Sequence, residues 1–144
     1  MASVEEISDS DRSRIAGEAT FLRAHYHFEA YKYWQNIPFY TELDDQSNTD
    51  GFRKDNSTDA LPLIIADLQS AISNLPESQS DIGRVTRWTA KAYLGRVQAY
   101  TGDFSGAKTT LDDVVNNGPY ALRDCFHDAF SAAEENGSET VLAY

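Results

Sequence analysis

The sequence predicts an all-α fold built of antiparallel helical hairpins. The clearest observation is the stretch 90–119, in which two segments with helical periodicity flank a tight turn at Gly102. Gly102 can take the left-handed conformation that ends one helix, and Asp103 can cap the next. A second observation is the helical spacing of apolar residues in two earlier segments, 11–35 and 59–74. Together these features predict about four main helices and one short helix.

The first helix is expected from Asp11 to about Gln35. It ends before Pro38 because the residue that precedes a proline avoids the helical region. Its apolar residues form two stripes. One stripe contains Ile15, Ala19, Leu22, Tyr26 and Tyr33, and the other contains Phe21, Phe28 and Tyr31. Two apolar stripes predict contacts on two sides, as in a layered stack of helices.

The second helix is expected to begin with Asp59 as its cap. This choice places Pro62 in the first turn, where the missing N–H of proline costs nothing. The buried stripe contains Ile64 or Ile65, Leu68, Ile72 and Leu75. The helix ends at Asn74, and polar segments flank it at 39–57 and 77–83. The segment 39–57 is long enough to suggest a functional or mobile loop.

The third helix is expected over 85–100 and the fourth over 104–117. Small residues share one face of the third helix at Ala92, Gly95 and Ala99. A partner helix can therefore approach that face closely. The stripe of the fourth helix that would face it contains Phe104, Ala107, Leu111 and Val114.

This hairpin resembles a tetratricopeptide repeat (TPR), whose helical pair spans about 34 residues. The residues at the offsets of that repeat are Leu94, Gly95, Gly102, Phe104, Ala107, Leu111 and Pro119. The large aromatic residue that the repeat has three positions before Leu94 is replaced by Lys91, so the unit is an altered one. The resemblance implies a superhelical stack of helix pairs and says little about function.

After Pro119 the helical periodicity weakens. Residues 124–133 can form a short helix with Phe126 and Phe130 on one face. Residues 140–144 resemble the start of a β-strand for which the chain offers no partner. An apolar strand without a partner suggests that the chain is truncated.

Charge and cysteine content disfavour several function classes. The chain contains 12 Lys and Arg against 23 Asp and Glu, a formal net charge of −11. A field of this sign repels phosphate backbones and anionic membrane surfaces, so nucleic acid is not an expected partner. No apolar run approaches membrane-spanning length. The single Cys125 permits no internal disulfide and is expected to be a small buried residue.

Four motifs occur in order along the chain. The matching stretches are GEATFLRAHYHFEAYKYWQNIPFY (Gly17–Tyr40), IIADLQSAISNLP (Ile64–Pro76), GRVTRWTAKAYLGRVQAYTGDFSGA (Gly83–Ala107) and the segment Gly118–Tyr144 with NGSETVLAY. The first three contain the patterns E-A-x-F-L-R-A, I-x-D-L-x-x-A-I-x-x-L-P and G-R-x-T. The fourth resembles the pattern N-x-E, although two residues separate Asn136 from Glu139. In this order and spacing the chain resembles the SusD/RagB family of outer-membrane nutrient-binding lipoproteins.

The resemblance implies a TPR-like helical fold within a protein several times longer than this chain. Family members have an export signal and a lipidated cysteine near their start, and residues 1–14 here contain neither. Residues 1–144 are therefore expected to form a single SusD-like helical domain that is truncated at both ends.

The same resemblance implies a surface-exposed outer-membrane lipoprotein that caps a SusC-like TonB-dependent transporter and hands it glycans or sometimes peptides. This chain is then a non-catalytic scaffold region that packs on the transporter, while an oligosaccharide binds mainly to parts outside it. The alternative is a free-standing TPR-like scaffold that binds a protein partner in its concave face. The sequence has neither a nucleophile elbow nor a phosphate-binding glycine loop, so an enzyme is not expected.

Aromatic residues crowd the end of the first helix at Tyr31, Tyr33, Trp34, Phe39 and Tyr40. Aromatic faces stack on sugar rings, so a glycan platform is one interpretation. Packing in the core is the other, and it accounts better for the group as a whole. Trp34, whose indole N–H can also donate a hydrogen bond, is the candidate ligand-binding residue.

Four charged residues inside the family-like motifs are candidates for a structural ion pair: Glu18, Arg23, Arg84 and Arg87. Glu18 and Arg23 differ by five positions and do not pair along one helix face. Each is expected to meet a partner on a neighbouring helix, for example Glu18 with Arg84 or Arg87. A buried or half-buried pair of this kind would set the register of the helices.

The sequence predicts no metal site and no cofactor. His25 and His27 lie about 200° apart around a helix, so both cannot bind one ion. The loop sequence DDQSNTDG, residues 44–51, follows the calcium-loop pattern only in part and lacks the closing glutamate. Its carboxylates are expected to be solvated.

Overall fold

The computed structural model describes residues 7–44 and 54–142. It contains four α-helices: α1 Asp9–Trp34, α2 Leu61–Asn74, α3 Arg87–Tyr100 and α4 Phe104–Asn117. Two short 3₁₀ helices follow at Phe126–Phe130 and Ala132–Glu134. The described residues include no β-strand, which confirms the all-α prediction. Residues 140–142 are not in the strand that the sequence predicts there, and residues 143 and 144 lie outside the described part.

Local capping explains where α1 and α3 begin. The Ser8 hydroxyl accepts a hydrogen bond from the Asp11 N–H at 3.1 Å. Before α3, the Thr86 hydroxyl accepts from the Thr89 N–H at 3.2 Å, and the Thr89 hydroxyl accepts from the Thr86 N–H at 3.3 Å. This reciprocal capping box starts α3 after Thr86, slightly later than the predicted start at Val85.

The start of α2 differs from the prediction by one residue. Ala60 rather than Asp59 occupies the N-cap position, and its backbone angles are already helical. The Asp59 carboxylate nevertheless accepts the Leu61 N–H at 3.0 Å. Pro62 lies in the first turn, as predicted.

The turn between α3 and α4 has the predicted structure. Gly102 has a φ of +87°, in the left-handed region that favours glycine. The Asp103 carboxylate accepts the Gly106 N–H at 2.9 Å and so caps α4.

The helices pack in chain order, α1 on α2, α2 on α3 and α3 on α4. Gly17 near the start of α1 lies against Leu75 at the end of α2, so these two helices are antiparallel. Phe28 near the end of α1 contacts Tyr100 at the end of α3, with ring centroids 5.4 Å apart, so α1 and α3 are parallel. The ends of α1 and α3 and the starts of α2 and α4 therefore share one end of the stack.

The hydrophobic core lies between α1, α2 and α3. Its large, fully buried side chains are Phe21, Phe28, Ile64, Leu68, Leu75 and Val97. Burial of each contributes about 1.5–3 kcal/mol. Tyr93 of α3 contacts both phenylalanines of α1 edge to face, with ring centroids 5.6 and 5.9 Å apart. The stripe of α1 that contains Phe21 and Phe28 is therefore the buried one.

The other predicted stripe of α1 is uncovered. Ile15, Leu22, Tyr26 and Tyr33 are 47, 48, 67 and 78% exposed, and Ala19 is exposed as well. Within the described residues, the prediction of contacts on two sides is therefore wrong for this side. The reason is that α2 and α3 both pack on the opposite face of α1.

Helices α3 and α4 approach closely at Gly95, as the small residues predict. A Cβ atom at Gly95 would lie 2.6 Å from both Cγ and Cδ2 of Leu111. Lys91, which stands where the TPR has an aromatic residue, pairs with Asp113 of α4. Its Nζ atom lies 4.6 Å from the centre of the Trp88 ring. An ion pair thus links the helices at the altered position.

Two further predictions are corrected. Phe104 is 72% exposed because it is the first residue of α4, so it lies outside the interface with α3. Cys125 is exposed rather than buried. It lies between Ala121 and Ser138, which are joined by a hydrogen bond from the Ala121 N–H to the Ser138 carbonyl at 3.0 Å, and no residue between these two is buried.

The variant Gly95→Val tests the close approach of α3 to α4. The added side chain must displace Leu111, so we expect the free energy of unfolding to fall by about 2 kcal/mol. Ala92→Val is the matched control, because Ala92 is on the same helix and borders a cavity of about 490 Å³. The control should lose less than about 1 kcal/mol, mainly through helix propensity. Urea unfolding followed by circular dichroism measures both, and equal losses would contradict this packing.

Candidate functional site

Exposed aromatic side chains gather at one end of the helical stack. Tyr33 and Trp34 end α1, Tyr100 ends α3, and Phe104 begins α4. Trp34 is 70% exposed and Tyr100 is 54% exposed. We call these four residues the aromatic end. Single exposed apolar residues are normal on a protein surface, but four exposed rings at one end form a candidate binding surface.

The sequence candidate Trp34 is the last residue of α1. Its ring centroid lies 5.8 Å from that of Tyr33, and the two ring planes are 52° apart. Gln35 has a φ of 56°, and the helix ends there. A ring exposed in this way can stack on the apolar face of a sugar while the indole N–H donates to a hydroxyl group.

The other aromatic residues of this part of the sequence are mostly packed. Phe39 is buried, and its ring lies 5.6 Å from the Arg23 guanidinium. Tyr31 is partly buried and packs against the core. The packing interpretation therefore holds for Phe39 and Tyr31, whereas Trp34 and Tyr33 face solvent.

Sequence reasoning missed Tyr100 and Phe104 as members of this surface. The helical periodicity assigns Phe104 to the interface between α3 and α4. The signal that could have identified both residues is their position on either side of the turn at Gly102. A hairpin turn joins the ends of two antiparallel helices. The turn at Gly102 lies at the same end of the stack as the end of α1.

The sequence candidate Arg23 joins three parts of the structure. Its Nε and Nη2 atoms donate to the Asp67 carboxylate of α2 at 2.6 and 2.8 Å, a bidentate pair. Its Nη1 atom donates to Glu42 at 2.6 Å. The contact with Asp67, more than that with Glu42, raises the pKa of Arg23 above its ordinary value. Asp67 is buried, and it is a partner that the sequence did not reveal.

Glu18 is the centre of a second group of polar contacts. Its Oε2 atom lies 3.0 Å from Nη1 of Arg84. Its Oε1 atom accepts from Gln79 at 3.1 Å and from Arg14 at 3.3 Å. The hydrogen bonds to Asp81 and then to Glu18 raise the pKa of Arg84. These contacts link α1 to the segment between α2 and α3.

Arg87 does not join this group. Its Nη1 atom lies 3.0 Å from the Glu77 carboxylate. The structure therefore brings together Glu18 and Arg84, and it places Arg23 and Arg87 in separate pairs. The role of these pairs in setting the helix register stays a prediction.

Metal-site candidates are separated in space. The described residues contain no group of three or more His, Cys, Asp or Glu placed to hold a metal ion. His25 is buried, with its ring 5.1 Å from that of Tyr93, and Nδ1 of His27 lies 2.7 Å from the Arg23 carbonyl oxygen. Of the calcium-like loop 44–51, only Asp44 lies within the described residues.

None of the described helices combines the length and the apolar character needed to cross a lipid bilayer.

Similarity to known proteins identifies the family of this chain. The model of a SusD-like family described as "Starch-binding associating with outer membrane" matches residues 1–98. The chain belongs to the SusD-like family. SusD-like protein P2 from Formosa agariphila is 33% identical over 132 residues, which cover 89% of this chain and 26% of the relative. This SusD-like chain spans about a quarter of the length of the curated relatives that it matches.

Solved structures have the same fold as this SusD-like chain. A laminarin-binding SusD-like protein has a TM-score of 0.83 at 29% identity, over 95% of this chain and 32% of its own. A structure with xylogluco-oligosaccharide has a TM-score of 0.78 at 29% identity, over 97% of this chain and 30% of its own. The arrangement of α1 to α4 therefore also occurs inside larger proteins.

The variant Asp67→Ala tests the ion pair between α1 and α2. It leaves the half-buried Arg23 without its bidentate partner, so the free energy of unfolding should fall by about 2 kcal/mol, with Glu42 limiting the loss. Asp81→Ala is the matched control, because its pair with Arg84 is exposed and should contribute much less to stability. Urea unfolding measures both variants. A loss at Asp67 no larger than that at Asp81 would contradict the structural role.

The stability of this SusD-like chain should depend on pH through His25. Burial lowers the pKa of His25 below its ordinary value of 6.5, with Glu29 opposing this effect and Arg96 and Lys32 adding to it. The unfolded chain therefore takes up a proton near pH 6.5, whereas the folded chain does so only at lower pH. The free energy of unfolding should consequently fall as the pH decreases from about 7 to about 5.

His25→Phe, which keeps an aromatic ring at this position, should flatten that part of the profile. Carboxylates with a lowered pKa, such as Glu29 and Asp113, lose their contribution only below about pH 4.5, so the two effects separate. Urea unfolding across the pH range measures the slope. An unchanged slope between pH 7 and 5 in His25→Phe would show that His25 is not its source.

Proposed function

We propose that this chain is part of a non-catalytic glycan-binding protein that serves nutrient uptake at the outer membrane. The observation that carries the proposal is the match of residues 1–98 to a family described as starch-binding and associated with the outer membrane. Two structures of the same fold support the glycan part, because one protein binds laminarin and the other structure contains xylogluco-oligosaccharide. The family assignment favours this function over a free-standing TPR-like scaffold.

The aromatic end is the proposed glycan-contacting surface of this chain. Its four exposed rings offer apolar faces for sugar rings, and the Trp34 indole and the tyrosine hydroxyls offer polar atoms for sugar hydroxyls. The net charge of −11 favours neutral over acidic glycans. The chain spans about a quarter of the length of its curated relatives. We therefore assign most ligand contacts to other parts of the protein.

The helical stack is the proposed scaffold. Residues 1–144 act as one helical domain that packs on a SusC-like TonB-dependent transporter at the cell surface. The continuous core of α1, α2 and α3 supports this role because it provides a rigid frame. Ring stacking and hydrogen bonding hold a sugar without breaking a covalent bond. The proposed role therefore requires no catalytic residue in this chain.

In the full-length protein, the variant Trp34→Ala should bind glycans more weakly. Loss of one stacking face is worth about 1 kcal/mol, which corresponds to a roughly fivefold rise in Kd. Isothermal titration calorimetry with laminarin and xyloglucan oligosaccharides measures this change.

Phe126→Ala is the matched control, because its ring is 83% exposed but lies in the 3₁₀ helix that follows the opposite end of α4. It should leave the Kd unchanged. Equal Kd values for the two variants would contradict the role of the aromatic end. Failure of the unaltered protein to bind any of these glycans would instead contradict the glycan-binding proposal itself.

A further inference from the structure

Asparagine precedes glycine at two places in the chain, 117–118 and 136–137. Such an asparagine can modify itself, because the backbone nitrogen of the next residue can attack the side-chain carbonyl carbon and close a five-membered ring. Glycine leaves this nitrogen accessible, since it has no Cβ atom and the least restricted backbone. The structure holds the two pairs in different surroundings, so their reactivity should differ.

The first pair is held by helix α4. Asn117 is the last residue of the helix, and its Nδ2 atom donates to the Asp113 carboxylate at 2.7 Å. The Gly118 N–H donates to the carbonyl of Val114, a buried residue, at 3.0 Å. Ring closure at Asn117 must therefore break a side-chain hydrogen bond and the last turn of a helix that packs on α3.

The second pair lies in an exposed turn. Asn136 is exposed and has a φ of 60°, in the left-handed region that few residues other than glycine and asparagine adopt. The Gly137 N–H donates to the Glu134 carbonyl at 3.0 Å and so closes a single turn. No residue between Ala121 and Ser138 is buried. Opening this turn uncovers no core residue, so it should cost less than unwinding the end of α4.

The charges beside the two pairs act in opposite directions. A side chain added at Gly137 would collide with the guanidinium of Arg123, which pairs with Glu134. A cation there favours loss of the proton from the Gly137 nitrogen and the negative charge that develops on the attacked carboxamide oxygen. The Glu134 carboxylate offsets part of this effect. Asn117 instead lies beside the Asp113 carboxylate, which disfavours both steps.

We propose that Asn136 is a site of spontaneous covalent modification. The Gly137 nitrogen loses its proton to water or hydroxide and attacks Cγ of Asn136, forming a new N–Cγ bond. The bond between Cγ and Nδ2 breaks, and the Nδ2 group takes up a proton and leaves as ammonia. Water then adds to either carbonyl carbon of the cyclic imide and opens it to aspartate or isoaspartate. The reaction transfers no electrons between reagents, and water is the only co-reactant.

The modification changes the segment that contains it. Each conversion adds a negative charge that competes with Glu134 for the Arg123 guanidinium. The isoaspartate product also adds a methylene carbon to the main chain between Ala121 and Ser138, which are joined by the hydrogen bond of 3.0 Å. Conversion of Asn136 should therefore loosen the closure of this segment while leaving the core of α1, α2 and α3 intact.

Ageing of the purified full-length protein at mildly alkaline pH tests this inference. Peptide mass spectrometry follows the mass gain at each asparagine as the side-chain amide becomes a carboxylate, and enzymatic methylation of isoaspartate detects the rearranged product. Each rate is divided by the rate of the same asparagine in urea-unfolded protein, which removes the effect of local sequence. Asn117 is the matched site within the same molecule, and Asn136→Gln is the control variant, because glutamine closes the corresponding larger ring far more slowly.

We expect the normalised rate at Asn136 to exceed that at Asn117 by at least about tenfold, since local opening limits the reaction at Asn117. Asn136→Gln should abolish conversion at that position. A normalised rate at Asn136 no higher than that at Asn117 would overturn the inference.

A pair of variants at Arg123 tests the contribution of the cation separately. Arg123→Lys keeps the positive charge and Arg123→Gln removes it, whereas both lose the guanidinium that pairs with Glu134. Asn136 should therefore convert faster in Arg123→Lys than in Arg123→Gln, with no difference at Asn117. Equal rates at Asn136 in the two variants would refute the role of the charge. Because no glycan is involved, these results are independent of the proposed function.

Discussion

The aromatic inner face of α1 is the contact on which the rest of the structure depends. Phe21 and Phe28 lie seven positions apart on that face, and both contact Tyr93 of α3 edge to face. The same buried cluster contains Ile64 and Leu68 of α2. One face of α1 therefore holds two helices at once. With α2 antiparallel to α1, this arrangement makes α1 and α3 parallel and brings their ends together.

The frame built on this face presents two surfaces of different chemistry. The aromatic end carries separate rings with polar atoms, which suits a ligand that alternates apolar faces and hydroxyl groups. The uncovered stripe of α1, which contains Ile15, Leu22 and Tyr26, follows the helical spacing with which helices pack against each other. Tyr33 belongs to both surfaces, so the two surfaces meet at the end of α1.

Local signals in the sequence determined the helices and the turn between α3 and α4. The capping by Asp103 and the left-handed Gly102 involve residues within a few positions of each other, so their roles are visible without the fold. The close approach at Gly95 was also predictable, because a row of small residues has few other uses on an amphipathic helix. The ordered motifs similarly identified the SusD-like family, which the comparison confirmed.

The tertiary structure decided which apolar stripe of α1 is covered and which charges meet. Periodicity shows that a helix face is apolar, but the segment that covers it is distant in the chain, as α3 is from Phe28. The position of Phe104 at the aromatic end likewise depends on how the hairpins align. Arg23 binds Asp67, 44 positions away, because antiparallel packing brings those turns together. Such pairings depend on the geometry of the whole stack, which no local pattern in the sequence contains.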